Sequence, residues 1–72
     1  MELPTIGQRL RAWRTASGLS QYEASQVFGC TPDAYSKWER DEVAPRGRDF
    51  KYARAVERVL QRYENQATVE ER

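Results

Sequence analysis

The sequence predicts an all-α domain of four helices, the last longer than the others. Three observations carry this. Apolar residues recur at helical spacing, as in Ile6, Leu10 and Trp13 at i, i+4 and i+7. Capping residues stand before three such segments, at Thr5, Ser20 and Thr31. Glycine stands at two of the breaks, Gly18 and Gly29, where a chain leaving a helix commonly turns through the left-handed region. A chain of 72 residues is one domain, with a core small enough that a bound partner or second copy matters to its stability.

Helix 1 is expected over about residues 5–17, capped by Thr5 and stopped by Gly18. Ser20 opens helix 2, and Glu23 three residues on completes an S-x-x-E capping box ahead of Ala24 and Phe28. Gly29 ends that helix. Thr31 followed by Pro32 opens helix 3, because threonine caps and proline fits the first helical position; it runs to about Arg40 with Tyr35 and Trp38 facing inward. DEVAPRG reads as a loop. Gly47 or Asp49 introduces helix 4, which carries Phe50, Ala53, Val56, Leu60 and Tyr63 at helical spacing and reads as one continuous helix over 48–64. Residues 1–64 form the domain, and 65–72 are expected to be a frayed tail.

Composition narrows the chemistry. Charged residues are 32% and aromatics 11%, which suits a folded helical domain with a few large core anchors. One cysteine and no histidine remove a disulfide framework, a Cys/His zinc site and the usual nucleophile-and-base pairs. No glycine-rich phosphate loop is present, so neither an enzyme nor a cofactor or metal is expected. No apolar run approaches the ~20 residues of a membrane span, and MELPTIGQRL lacks a signal-peptide pattern, which points to the cytoplasm.

Net charge is only +1, but it is unevenly distributed. Residues 46–62 hold six cations (Arg46, Arg48, Lys51, Arg54, Arg58, Arg62) against two acids, while residues 1–40 are nearly balanced. Ten of the twelve cations are arginine, the side chain suited to bidentate phosphate and guanine contacts, although an arginine-rich helix is commonly a solvated face.

Helices 2 and 3, within residues 20–40, are separated by about three residues with glycine at the break, the spacing of a helix-turn-helix. Helical bundles without nucleic-acid partners contain such turns as well. The residues say more. LSQYEASQVFG followed by TPDAYSKWER resembles the Cro/repressor (Xre) helix-turn-helix family, through Leu19, Ser20, Gln21, Glu23, Ser25, Gly29, Ser36, Lys37, Trp38, Glu39 and Arg40. IGQRLRAWR matches the family's opening with Ile6, Gly7, Leu10 and Arg14, so the likeness spans about residues 5–46. It implies a compact lambda-repressor-like fold. Asp41 stands where the family usually has glycine, which points to a longer or differently turned exit from helix 3. The single long last helix and DAYSKWER more loosely resemble the DNA-binding half of MqsA-type antitoxins, whose zinc-binding half is not present in this sequence.

The resemblance implies that helix 3 enters the major groove, with the outward residues of its amino-terminal part, Thr31, Pro32, Asp33, Ser36 and Lys37, toward the bases. Lys37 and Asp33 match the family's base-reading positions: lysine donates to guanine O6 and N7, and aspartate accepts from cytosine N4. The alternative is a plain i, i+4 surface pair. Gln21 matches the family glutamine that bonds a phosphate, with capping support as the alternative. Thr31, Arg40, Arg46 and Arg48 are the other phosphate candidates, unless the arginines are simply solvated. Arg14 and Glu39 correspond to an ion pair that bridges helices 1 and 3, a structural role. Trp13, Phe28, Tyr35 and Trp38 are expected in the core, and Cys30 as packing.

Small readers of this kind bind as twofold dimers, because one helix reads too few bases to be selective. Val59, Leu60 and Tyr63, late in helix 4, are the candidate dimer contacts, with folding back onto helix 1 as the alternative. The expected function is a sequence-specific regulator of double-stranded DNA, most simply a repressor. A rival is a protein-interaction module, the antitoxin-like partner of a protein such as a toxin.

Overall fold

A computed structural model of the chain describes residues 3–44 and 50–70, with the side chains of residues 51–66 in the last helix. The described residues form four helices: α1 (Ile6–Ala16), α2 (Gln21–Phe28), α3 (Pro32–Glu39) and α4 (Phe50–Glu70). Each of the first three starts on a capping side chain. Thr5 Oγ1 accepts from the Gln8 N–H at 3.1 Å while Gln8 Oε1 accepts from the Thr5 N–H at 2.9 Å, a capping box. Ser20 and Glu23 make the same reciprocal pair, at 3.1 and 2.9 Å. Thr31 Oγ1 accepts from the Ala34 N–H at 3.1 Å, and Pro32 fills the first helical position.

The exits are as regular as the starts. At Gly18 (φ 69°) and Gly29 (φ 72°) the chain turns left-handed. The next amide in each case bonds back to the last turn, Leu19 to Arg14 O and Cys30 to Ser25 O, both at 3.1 Å. The exit from α3 closes the same way, with Glu42 N–H on Lys37 O at 3.0 Å and Asp41 at φ 59°. The longer or different exit expected from the missing glycine is therefore corrected. Aspartate tolerates the left-handed region better than most residues, and here its carboxylate is also used. Oδ1 accepts from the Gly7 N–H at 3.0 Å and Oδ2 from the Thr5 hydroxyl at 2.6 Å. Those groups sit at the start of α1, where unmet N–H groups and the helix dipole favour a negative charge.

This contact brings α1 and α3 very close. A Cβ on Gly7 would lie 2.5 Å from Glu39 O and 2.7 Å from Trp38 O, both backbone atoms. Glycine is needed there for space.

α3 packs on α1 and α2, and α4 packs on α1 and α2. Leu10, Trp13, Ala24, Phe28, Cys30, Tyr35, Trp38, Val56 and Leu60 form the core. Phe28 lies at its centre, its ring 5.3 Å from Trp13 and 6.2 Å from both Tyr35 and Trp38, and Trp38 reaches Tyr52 of α4 at 5.5 Å. Rings from all four helices meet there, each large side chain contributing about 1.5–3 kcal/mol by leaving water. Trp13, Phe28, Tyr35 and Trp38 are thereby committed to packing. α4 is helical to Glu70, so residues 65–70 continue it. Gly47 and Asp49, the expected introduction to α4, lie outside the described residues.

Candidate nucleic-acid interface

The three-residue turn Gly29–Thr31 joins α2 to α3, and one buried carboxylate fixes how α3 sits against α1 and α2. Glu39 Oε2 accepts from Arg14 Nε at 2.6 Å, and Oε1 accepts from Arg14 Nη2 at 3.3 Å and from Gln21 Nε2 at 3.1 Å. Arg11 Nε of α1 stands 3.7 Å from the same carboxylate. The Glu39 side chain has no exposure and that of Arg14 only 20%. Burial alone would raise the carboxyl's pKa, but the bonds from Arg14, Tyr35 and Gln21 outweigh it and hold it below the usual range. The same pairing raises the Arg14 guanidinium.

With Tyr35, Trp38 and Glu39 turned inward, Asp33, Ser36, Lys37 and Arg40 share the opposite face by their i, i+3, i+4 and i+7 relation. Lys37 Nζ lies 3.3 Å from Asp33 Oδ2, both side chains well exposed. Arg40 Nε lies 2.6 Å from Glu42 Oε2. Thr31 is occupied as the α3 cap and Pro32 is exposed beside it, while Ser36 is half-buried. Gln21 is also half-buried, with its amide on Glu39, a link that its motif position did not announce. Arg46 and Arg48 lie outside the described residues.

The dimer candidates separate. Leu60 is fully buried beside Val56 in the core, so it has no surface to offer a second copy; this corrects its assignment. The reason is register: Leu60 lies one turn from Val56 on the inward stripe of α4. Val59 and Tyr63 are partly buried against the same core and keep an outer edge.

Arg9 forms a fork that the sequence did not single out. Its guanidinium meets Glu64 at 2.8 Å and Glu57 at 3.1 Å, tying α1 to α4. The bond to Glu64 raises the arginine, and Arg9 in turn lowers the Glu64 carboxyl. Glu57 and Glu64 are seven residues apart, hence on one face of α4, the only signal that could have shown them as partners for one cation.

Comparison with known proteins matches a family model described as a helix-turn-helix domain, which covers residues 5–71. The chain belongs to the helix-turn-helix domain family. This agrees with the Cro/repressor (Xre) likeness, while the MqsA likeness is only loose. No curated protein and no solved structure matches at a significant level. α2, the Gly29–Thr31 turn and α3 follow one another as helix, three-residue turn and helix, and a helix-turn-helix domain suggests a DNA-binding regulator. Among the described residues no helix is long and apolar enough to cross a membrane, and no group of three or more His, Cys, Asp or Glu is placed to hold a metal ion.

Proposed function

We propose that this helix-turn-helix domain is a sequence-specific reader of double-stranded DNA and acts as a small repressor. It binds a palindromic operator as a homodimer, with α3 in the major groove. The observation that supports this best is the division of α3. Its inner side is locked by Glu39 and the aromatic core, and its outer side carries only polar groups at positions a groove-bound helix turns to base edges.

In this reading Lys37 leaves Asp33 to donate to guanine O6 and N7, and Asp33 accepts from cytosine N4. The exposed pair they form in the free protein is worth only a few tenths of a kcal/mol, so opening it is a minor cost. A carboxylate facing DNA without a donor is repelled, which makes Asp33 a selector against wrong bases. Ser36 and Pro32 border the same base pairs. Gln21 uses one amide hydrogen on Glu39 and keeps the other for a phosphate at the start of α2, where free N–H groups also point outward. Thr31, Arg40, Arg46 and Arg48 supply further backbone contacts, with Arg40 exchanging Glu42 for phosphate. Val59 and Tyr63 form the dimer edge.

A specific observation favours the rival reading as a protein-interaction module. Both cations on the outer side of α3 are already neutralised, Lys37 by Asp33 and Arg40 by Glu42, so that face attracts phosphate weakly. Salt separates the two, because phosphate contacts release counterions and steepen the loss of affinity. The direct test is Lys37→Ala against operators substituted one base pair at a time. The variant is expected to lose about 1–3 kcal/mol on the preferred site and to relax preference at one base pair. Equal losses on every sequence would remove lysine from base reading.

A further inference from the structure

The free positive charge of the described residues is not on the helix-turn-helix. Arg9, Arg11, Arg14, Lys37 and Arg40, every described cation before residue 45, each have a carboxylate within 4 Å. Lys51, Arg54, Arg58 and Arg62 have none among the described residues, and all four are exposed. Steps of three, four and four residues place them on one face of α4. The core residues Val56 and Leu60 each lie two positions, about 200°, from an arginine on either side, so the cations run along the ridge opposite the core. The stripe is about 16 Å long. Exposed Gln61 flanks it and exposed Asn65 continues it.

Three kinds of partner can be weighed on this surface. A protein interface needs an apolar or aromatic anchor buried at its centre, and this ridge has none. An anionic membrane surface binds an amphipathic helix through its apolar face, and that face of α4 is already inside the domain. A second copy meeting it by a twofold axis would set the same cations against each other. The backbone of duplex DNA needs no apolar anchor, carries one charge per ~1.7 Å and suits a straight, mostly arginine row.

We propose that the outer ridge of α4, Lys51, Arg54, Arg58 and Arg62, is a second, sequence-independent DNA-binding surface that holds the phosphate backbone along about five base pairs. This rests on the DNA-binding reading of the domain. It divides the work: α3 reads and α4 supplies the attraction that the neutralised outer side of α3 lacks.

The test is fluorescence anisotropy of a labelled random-sequence duplex titrated with the full chain from 50 to 200 mM KCl. Wild type is compared with Arg54→Gln/Arg58→Gln/Arg62→Gln and with the corresponding triple lysine variant. Removing three phosphate contacts lowers the salt slope by about 2.7, so the affinity gap between wild type and the glutamine variant narrows roughly 40-fold across that range. The lysine variant keeps the slope. Circular dichroism checks that each variant is folded, which these exposed positions favour. If wild type binds duplex but the glutamine variant has the same slope and affinity, the ridge proposal is overturned while the helix-turn-helix reading stands. Loss of binding to an acidic protein alone, with DNA binding unchanged, overturns it in the same way. If wild type binds no duplex at all, the DNA-binding reading fails, and the ridge proposal with it.

Discussion

Replacing Glu39 with glutamine keeps the shape of the side chain and removes its charge. The amide oxygen can no longer accept from Arg14 twice and from Gln21 at full strength, and Arg14 is left with a largely buried, uncompensated charge. Losing one partner of a buried ion pair costs about 3–5 kcal/mol. Arg14 keeps 20% of its side chain in water, which brings the expected loss to about 2–3 kcal/mol at pH 7. A domain of this size has only about 4–11 kcal/mol in all, so the melting temperature should fall by roughly 8–24 °C. The same carboxylate sets a pH dependence. Its folded pKa is depressed, so its contribution is complete above the unfolded value of about 4.3 and is lost as pH falls through the lower folded value. Urea denaturation followed by circular dichroism at pH 7, 5, 4 and 3 should therefore show a wild-type advantage over Glu39→Gln that shrinks below about pH 4.3. An advantage under about 1 kcal/mol at pH 7, or one constant down to pH 3, would refute the account of Glu39 as the buried hub.

Three further predictions concern the contact between α1 and the exit from α3. Gly7→Ala should destabilise by about 1–3 kcal/mol, because the added methyl meets backbone oxygens that cannot yield; alanine's better helix propensity alone would stabilise by about 1 kcal/mol, so the sign of the change in thermal unfolding decides. Asp41→Ala should be less stable than Asp41→Gly by about 1 kcal/mol, since both lose the bonds to Thr5 and Gly7 but only glycine enters φ 59° without strain. A double-mutant cycle with Thr5→Val should show coupling to Asp41, and strict additivity would contradict the bridge.

Much of this fold is local chemistry and was legible as such. Thr5, Ser20, Thr31, Gly18 and Gly29 act on residues three to five positions away, so the sequence alone places the ends of α1, α2 and α3. Asp41 was legible as a departure but not as a solution. The carboxylate works because the start of α1 lies against it, 34 positions back in the chain, and nothing in the local pattern shows that. Arg9 has the same character, its partners being 48 and 55 positions away. Leu60 was misplaced for a different reason: apolar spacing shows which helix face is buried, not whether a core or a second copy buries it. The outer face of α3 was readable by period, but its neutralised charge depends on rotamers, and the importance of the α4 ridge appears only once the pairing of every described cation before it is known.

The role proposed for α3 is to read a defined duplex sequence. Selection of bound sites from a random duplex pool at near-physiological salt, followed by sizing of the complex, tests it most directly. A dimeric reader of this kind enriches a palindrome with half-sites about one turn, ~10 bp, apart and places two chains on each site. Retention of duplex with no enriched sequence would contradict it, leaving a domain that holds DNA without reading it.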